Sequence, residues 1–320
     1  MEVVNEKWKA DNYKFIGKAF DMQAKNMLTG NSLLKITGEE VTDSIDYELS
    51  SAGGYGQLRA YDGSTLVAGN QKRGFKMVVT PKEWAAEIQL KYKQIKNDKL
   101  GHTKKVGKGL ATAGWATVQA HLLQAYANMF NSSVTGGDGK AFAATDHPVA
   151  SKEDSNRSYV VDTDAGTYSN LITTALSGAA ISEAKAKGAR FVTPDGQPLL
   201  ANFNLLLVSP ELEATAAKIL GTENKYTPMQ NPDDATNASN PNAGMKYLVI
   251  GGGADGFTAK QWAICDMDMF KEYGLKIVYT TKPTVMKGQP GNPLIQSFVG
   301  YADYAIGWAD PRYCICSNPA

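Results

Sequence analysis

Leu110-Ala-Thr-Ala-Gly-Trp-Ala-Thr-Val-Gln-Ala-His-Leu-Leu-Gln-Ala-Tyr-Ala-Asn-Met-Phe130 holds no proline and is helix-compatible almost throughout. Trp115, Val118, Leu122, Ala125, Tyr126 and Met129 recur at three- and four-residue steps, which sets them on one helical face. Ala116, Ala120, Leu123, Ala127 and Phe130 form a second apolar face, leaving Thr117, His121, Gln124 and Asn128 as a narrow polar stripe. A helix apolar around most of its circumference is packed on most sides. If it runs from about Thr103 to Asn131 it spans on the order of 40 Å at 1.5 Å per residue. The expectation is a spine on which the other elements hang.

The spine stops at Asn131-Ser-Ser, and Gly136-Gly-Asp-Gly-Lys-Ala-Phe-Ala-Ala-Thr-Asp-His-Pro148 follows. Its glycines permit positive φ and a tight reversal, with Phe142 anchoring the loop on the spine. Asp146-His147 could be a metal or acid/base pair, but no other His or Cys cluster completes a site. The favoured reading is a turn whose His and Asp bond to the backbone.

With 320 residues, 43% of them hydrophobic, the chain can form two domains or one elongated one. A formal charge of +1 gives no global basic field of the kind a dedicated nucleic-acid binder carries. Nothing near 18 consecutive apolar residues occurs, so no membrane span is expected, and the acidic, non-apolar start is unlike a signal peptide. Cys265, Cys314 and Cys316 make neither a disulfide framework nor a zinc site, which fits synthesis in a reducing cytoplasm.

Residues 1–40 read as an arm with a loose helical period at Val4, Trp8, Phe15, Ile16, Ala19 and Phe20. Those aromatics need a partner surface, on this chain or on a neighbour. Residues 46–95 read as a hairpin-like excursion with strands at Phe75–Val79 and Trp84–Tyr92 and too few apolar residues for a core of its own. Lys72 and Arg73 lie near its turn, as a phosphate site or simply a solvated tip. Lys104, Lys105 and Lys108 crowd the start of the spine against the helix dipole. They point either to an acidic partner, a neighbouring subunit or a nucleic-acid backbone, or to a solvated first turn near Asp98.

Further on, the pattern predicts a helix over Ser169–Lys187 ended by Gly188, and a doubly buried strand at Leu205–Val208. It predicts a second helix opened by Ser209-Pro210-Glu211 and ended at Gly221. Strands are expected at Lys246–Ile250, Gln261–Asp266, Leu275–Thr280 and Ser297–Trp308, around a Gly/Pro loop at 288–293. Gly251-Gly-Gly-Ala-Asp-Gly256 lacks the Lys-Ser/Thr of a phosphate loop and reads as a turn. Helices and strands without a βαβ rhythm indicate an α+β fold.

This order of elements resembles a tailed-phage major capsid protein of the Hong Kong 97 fold, and within it the phage Mu-like major head subunit group. The resemblance rests on Asp138–Pro148, on Asp195-Gly-Gln-Pro-Leu and Leu207-Val-Ser-Pro-Glu-Leu-Glu213, and on Leu220, Asn240-Pro241 and Trp262-Ala-Ile-Cys-Asp266. It covers about residues 40–310. It implies an N-terminal arm (1–45), an extended two-stranded loop (46–95) and a peripheral domain with the spine helix (96–167). An axial domain (168–276) and closing strands of the peripheral domain (277–320) complete it. The implied protein assembles in the bacterial host cytoplasm into hexamers and pentamers of an icosahedral shell around phage DNA, as a component of the virion capsid. Portal and scaffolding or decoration proteins would be its partners, with non-specific contact to the packaged duplex and none to membrane. Some relatives crosslink a loop Lys to a neighbour's Asn, for which Lys72 and Asn292 are conceivable here.

No cofactor, metal or catalytic residue is expected. Three scattered histidines and no nucleophile, zinc or phosphate motif argue against an enzyme. A decoration or fibre subunit is the other alternative, and it fits the long spine and the excursion poorly. Candidate inter-subunit contacts are Trp8, Phe15, Phe20, Lys72, Arg73, Lys104, Lys105 and Lys108.

Overall fold

The computed structural model describes residues 6–53, 61, 63, 74–98, 101–153, 159–221, 242, 244–252, 255–289, 291–292 and 294–320. The spine is helix α4, His102–Ala127, continued by a 3-10 turn at Asn128–Phe130. Three shorter helices precede it: α1 (Glu6–Gly30), α2 (Ser32–Ile36) and α3 (Tyr92–Lys96). At 1.5 Å per residue, α4 is about 39 Å long. Asp98 opens it, its carboxylate accepting the His102 and Thr103 N–H groups at 2.6 and 2.8 Å. Trp115, Val118, Leu122, Tyr126 and Met129 are buried as their spacing predicts, while Ala125 is half-buried. The second face is only partly covered: Leu123 is buried but Ala116 is exposed.

The arm lies along the spine of its own chain. Ile16 and Phe20 pack against Leu110, Ala111, Val285 and Phe298, and the Tyr13 hydroxyl donates to the Val285 carbonyl at 2.8 Å. This corrects the expectation that Phe20 contacts a neighbour. Gly107 lets the arm in close, because a Cβ there would sit 2.5 Å from the Ile16 carbonyl oxygen.

Two sheets flank the spine. The first has four strands: β1 (Gly38–Val41), β4 (Lys82–Lys91) and two long strands, Leu275–Lys287 and Ile295–Trp308. The long strands pair with each other in the middle. β1 runs parallel on one flank and β4 antiparallel on the other. The first long strand extends seven residues past the predicted Thr280. Pro283 is tolerated there because it lies beyond the end of β1, where the register also slips between Tyr279 and Thr284. One side of this sheet packs on α1 and α4. Part of the other is covered by the hairpin of β2 (Tyr47–Ser50) and β3 (Lys76–Val79), whose Leu49 and Val79 meet Val278. The two expected strands of the excursion therefore do not pair with each other: β3 pairs with β2, and β4 joins the sheet. The stretch between β2 and β3 lies mostly outside the described residues.

The second sheet has five strands, in the order Lys246–Val249, Leu205–Val208, Trp262–Cys265, Cys314–Ser317 and Leu171–Ile172. Its three central strands are buried on both faces, the two outer ones only partly. Leu206, Val208, Trp262, Ile264 and Ile315 face the cluster under helices α5 (Gly178–Gly188) and α6 (Glu213–Leu220). Leu205, Leu207, Ala263, Cys265, Cys314 and Cys316 join the core around the spine. That double burial is why these strands read as unbroken apolar runs.

Two expectations are corrected and one helix is added. Residues 169–176 are not helical: Leu171–Ile172 pairs with Cys316 and Ser317, and α5 begins only after Ser177, whose hydroxyl oxygen accepts the Ala180 N–H. Met267–Tyr273 is a helix (α7) that the sequence reading did not resolve, capped by the Asp266 carboxylate. The last strand, Cys314–Ser317, does not close the long-strand sheet. Pro311–Tyr313 turns the chain, and alternation of thiols with Ile315 and Ser317 fits the doubly buried slot beside Trp262–Cys265.

Candidate assembly surfaces

β4 is an edge strand, and no further strand lies beyond it among the described residues. An edge strand of ten residues, most of them exposed, is a template for pairing with another chain. Its Trp84 is 39% exposed and its ring centroid lies 4.3 Å from that of His121 on the spine. The His121 Nδ1 is 2.6 Å from the Tyr304 hydroxyl, and burial lowers the imidazole pKa. Two concavities flank Trp84. An apolar one of about 140 Å³ runs between Leu110, Ala113, Pro283 and Ala302. A polar one of about 440 Å³ is lined by Lys82, His121, Gln124 and Asn128. Most of the polar stripe of the spine thus walls a cleft.

On the sheet face turned away from the helices, Glu83 sits directly opposite Asp303, with the Tyr301 hydroxyl donating to Glu83 at 2.9 Å. Burial and the Glu83 charge raise the Asp303 carboxyl pKa; burial and the bond to Glu83 push the Tyr301 phenol up to about 12. Elsewhere the most exposed of the large apolar side chains among the described residues are Ile45, before the hairpin, and Leu200, at 85% and 89% exposure.

The candidate contact residues separate. Phe15 is exposed on α1, whereas Phe20 is buried beneath it. Lys104 and Lys105 are exposed and Lys108 half-buried at the start of α4. Asp98, just before them, has its carboxyl held at about 2 by hydrogen bonds from the Thr103 hydroxyl and N–H. The Trp8 side chain, Lys72 and Arg73 lie outside the described residues, and so does Lys72 as a crosslink candidate.

The turn after the spine is built as a fixed joint. Asp146 pairs with Lys140, not with His147. His147 is fully buried, its Nδ1 2.6 Å from Asp138 and its Nε2 3.1 Å from the Phe142 carbonyl oxygen, so neither ring nitrogen faces a substrate. Asn170 completes the joint, donating to the carbonyls of Phe142, Pro311 and Cys314 while accepting the Ala144 N–H. Among the described residues no group of three or more His, Cys, Asp or Glu could hold a metal, and no helix is long and apolar enough to cross a membrane.

Residues the sequence reading passed over gather at the base of the extended loop. Asp310 and Arg312 form a buried pair beside Ser51 and Ala52. Only the local Asp-Pro-Arg turn signal could have drawn attention to them.

A sequence model of a family described as phage capsid protein matches residues 74–317. No curated protein matches the chain. Among solved structures, the capsid of cyanophage P-SCSP1u aligns at a TM-score of 0.50 and 8% identity, over 89% of this chain and 86% of that one. A virus-like particle from Pyrococcus furiosus aligns at 0.47 and 9%, over 95% and 97%. The procapsid of bacteriophage JBD30 aligns at 0.45 and 13%, over 95% and 73%. At such identities the likeness concerns the fold alone, and the cyanophage alignment carries it.

Proposed function

The chain belongs to the phage capsid protein family, and from that premise we propose how its surfaces are used. It is a major capsid protein with a Hong Kong 97-type α+β fold, structural and not enzymatic, that self-assembles into the icosahedral shell of a phage head. Its place is the virion capsid. The match over residues 74–317 is the observation that carries this reading. The order of short motifs from Asp138 to Asp266 supports kinship with phage Mu-like head subunits.

Copies meet as hexamers and pentamers. Within the extended loop (46–95), β4 and the β2–β3 hairpin pack on this chain's own long-strand sheet, so contact with a neighbour falls to the stretch between β2 and β3. The β4 edge and Phe15 on the arm are the described surfaces best suited to receive a second copy. The arm (1–45), the spine region (96–167) and most of 277–320 act as a peripheral domain, and 168–276 with Cys314–Ser317 as an axial domain. Assembly takes place in the host cytoplasm. Portal and scaffolding or decoration proteins join the shell, and contact with packaged duplex is non-specific.

Negative-stain microscopy of the expressed full chain tests the reading. Closed shells or hexameric and pentameric rings are expected. Discrete small oligomers at every concentration and salt would overturn it.

A further inference from the structure

We propose that Asp310 and Arg312 are positioning residues that fix the direction in which the extended loop leaves the body, and through it the curvature at which copies meet. The proposal rests on the shell reading above. Arg312 is 3% exposed and Asp310 1%. The Arg312 Nε donates to both Asp310 oxygens at 2.9 and 3.1 Å. Nη2 donates to the Ala52 carbonyl at 2.7 Å, and Nη1 to the Val192 carbonyl at 3.2 Å. Asp310 in turn accepts the Ala52 N–H at 3.2 Å and the Arg312 N–H at 3.0 Å. Ala52 is therefore held by its N–H and its C=O at once.

That grip falls where the loop departs. Ser51 is joined to Phe75 by its backbone N–H at 2.8 Å and by its hydroxyl, which accepts the Phe75 N–H at 2.7 Å. Tyr47–Ser50 and Lys76–Val79 form the ladder behind it. One guanidinium thus ties three parts of the chain: the loop base at Ala52, the five-stranded lobe at Val192 and the turn at Pro311–Tyr313. The approach is close on every side. A Cβ on Gly74 would lie 2.2 Å from the Ser51 hydroxyl, and one on Gly137 would lie 2.2 Å from the Lys76 carbonyl oxygen.

The chemistry favours position over bulk stability. A buried ion pair forfeits much of its attraction to desolvation, and an apolar pair of the same volume often stabilises a fold as well. What an apolar pair cannot do is hold two carbonyls and a carboxylate in one plane, as the guanidinium fork does. Lysine retains the charge beside Asp310 but loses the fork.

The test uses the full chain with Arg312→Lys and, separately, Gly74→Ala, which strains the loop base without touching the buried pair. In the free subunit, both variants should stay folded while melting below the parent, and amide exchange should quicken at Ser51, Ala52 and Phe75 while Val278 and Ile306 stay protected. In assembly, the fraction of closed particles of parental diameter should fall several-fold, with open or wrongly sized particles in their place. Unchanged exchange at Ala52 in Arg312→Lys, or parental particles from both variants, would overturn the clamp. If Arg312→Lys does not fold, Asp310→Asn, which keeps an acceptor for the guanidinium but removes the charge, decides by the same two measurements. A parent chain that forms no particles would overturn the shell reading, and the exchange measurement would still decide the clamp.

Discussion

Leu122 and Gln124 sit two residues apart on the spine and face opposite fates. Leu122 is fully buried among the core residues, whereas Gln124 is exposed at the cleft beside Trp84. Truncating a buried leucine costs about 2–5 kcal/mol, from lost transfer energy plus the cavity left behind. Leu122→Ala should lower the subunit's melting temperature and the shell yield together, and Gln124→Ala should stay within about 0.5 kcal/mol of the parent. Thermal melts of both, with particle counts, check it. Asp98 gives a pH signature. Its carboxyl titrates at about 2 in the folded chain against 3.8 when unperturbed. A depressed folded pKa contributes stability that is fully present above 3.8 and is lost as the pH falls toward 2. Asp98→Asn should therefore melt lower than the parent at neutral pH, with the gap closing in acid, as melts across that range would record. Residues such as these were partly legible. The spacing of Leu122 identified its burial, and the favoured backbone contact of His147 is present at the Phe142 carbonyl oxygen, but the Asp138 carboxylate on its other nitrogen left no signal. Arg312 was invisible, since its carbonyl partners stand 120 and 260 residues away.

Elements were readable where burial imposes one period over enough residues. The spine and Leu205–Val208 meet that condition, the first through three- and four-residue steps and the second through burial on both faces. Leu171–Ile172 does not: a two-residue strand carries no period, and its partners Cys316 and Ser317 lie at the far end of the chain. β4 was legible as a strand but not as a member of the long-strand sheet, because its burial pattern is nearly all exposed. The same exposure underlies a prediction for the extended loop. The β2–β3 hairpin is anchored at its base through Leu49, Val79 and Ser51, all buried. Deleting Ala60–Arg73 leaves every one of those anchors in place. The shortened chain should stay soluble, keep the parental circular dichroism and melt near the parent, yet fail to close shells. Parental shells from the deletion would show that the loop is not an assembly element.

At the scale of the whole molecule, charge sets what the shell can do to its contents. A net charge of +1 spread over 320 residues gives the subunit no long-range pull on a polyanion. Local cations remain: Lys104 and Lys105 are exposed at the start of the spine. Base-specific readout needs a helix or strand presenting side chains that reach base edges, and phosphate contact alone carries no sequence information. The spine offers little for such a role, since most of its bulky side chains are buried in the subunit's own core. Duplex binding should therefore be indifferent to sequence and no tighter than on the order of 10⁻⁴–10⁻⁶ M at physiological salt. Each phosphate contact adds about 0.9 to the slope of log affinity against log salt, so Lys104→Glu with Lys105→Glu should flatten that slope by up to about 2 if these lysines face the genome. Fluorescence anisotropy with two unrelated duplexes across a salt series measures both quantities. A purified subunit that selects one duplex over the other at physiological salt would contradict the prediction. An unchanged slope in the double variant, with shell assembly impaired, would assign the two lysines to a neighbouring subunit instead of DNA.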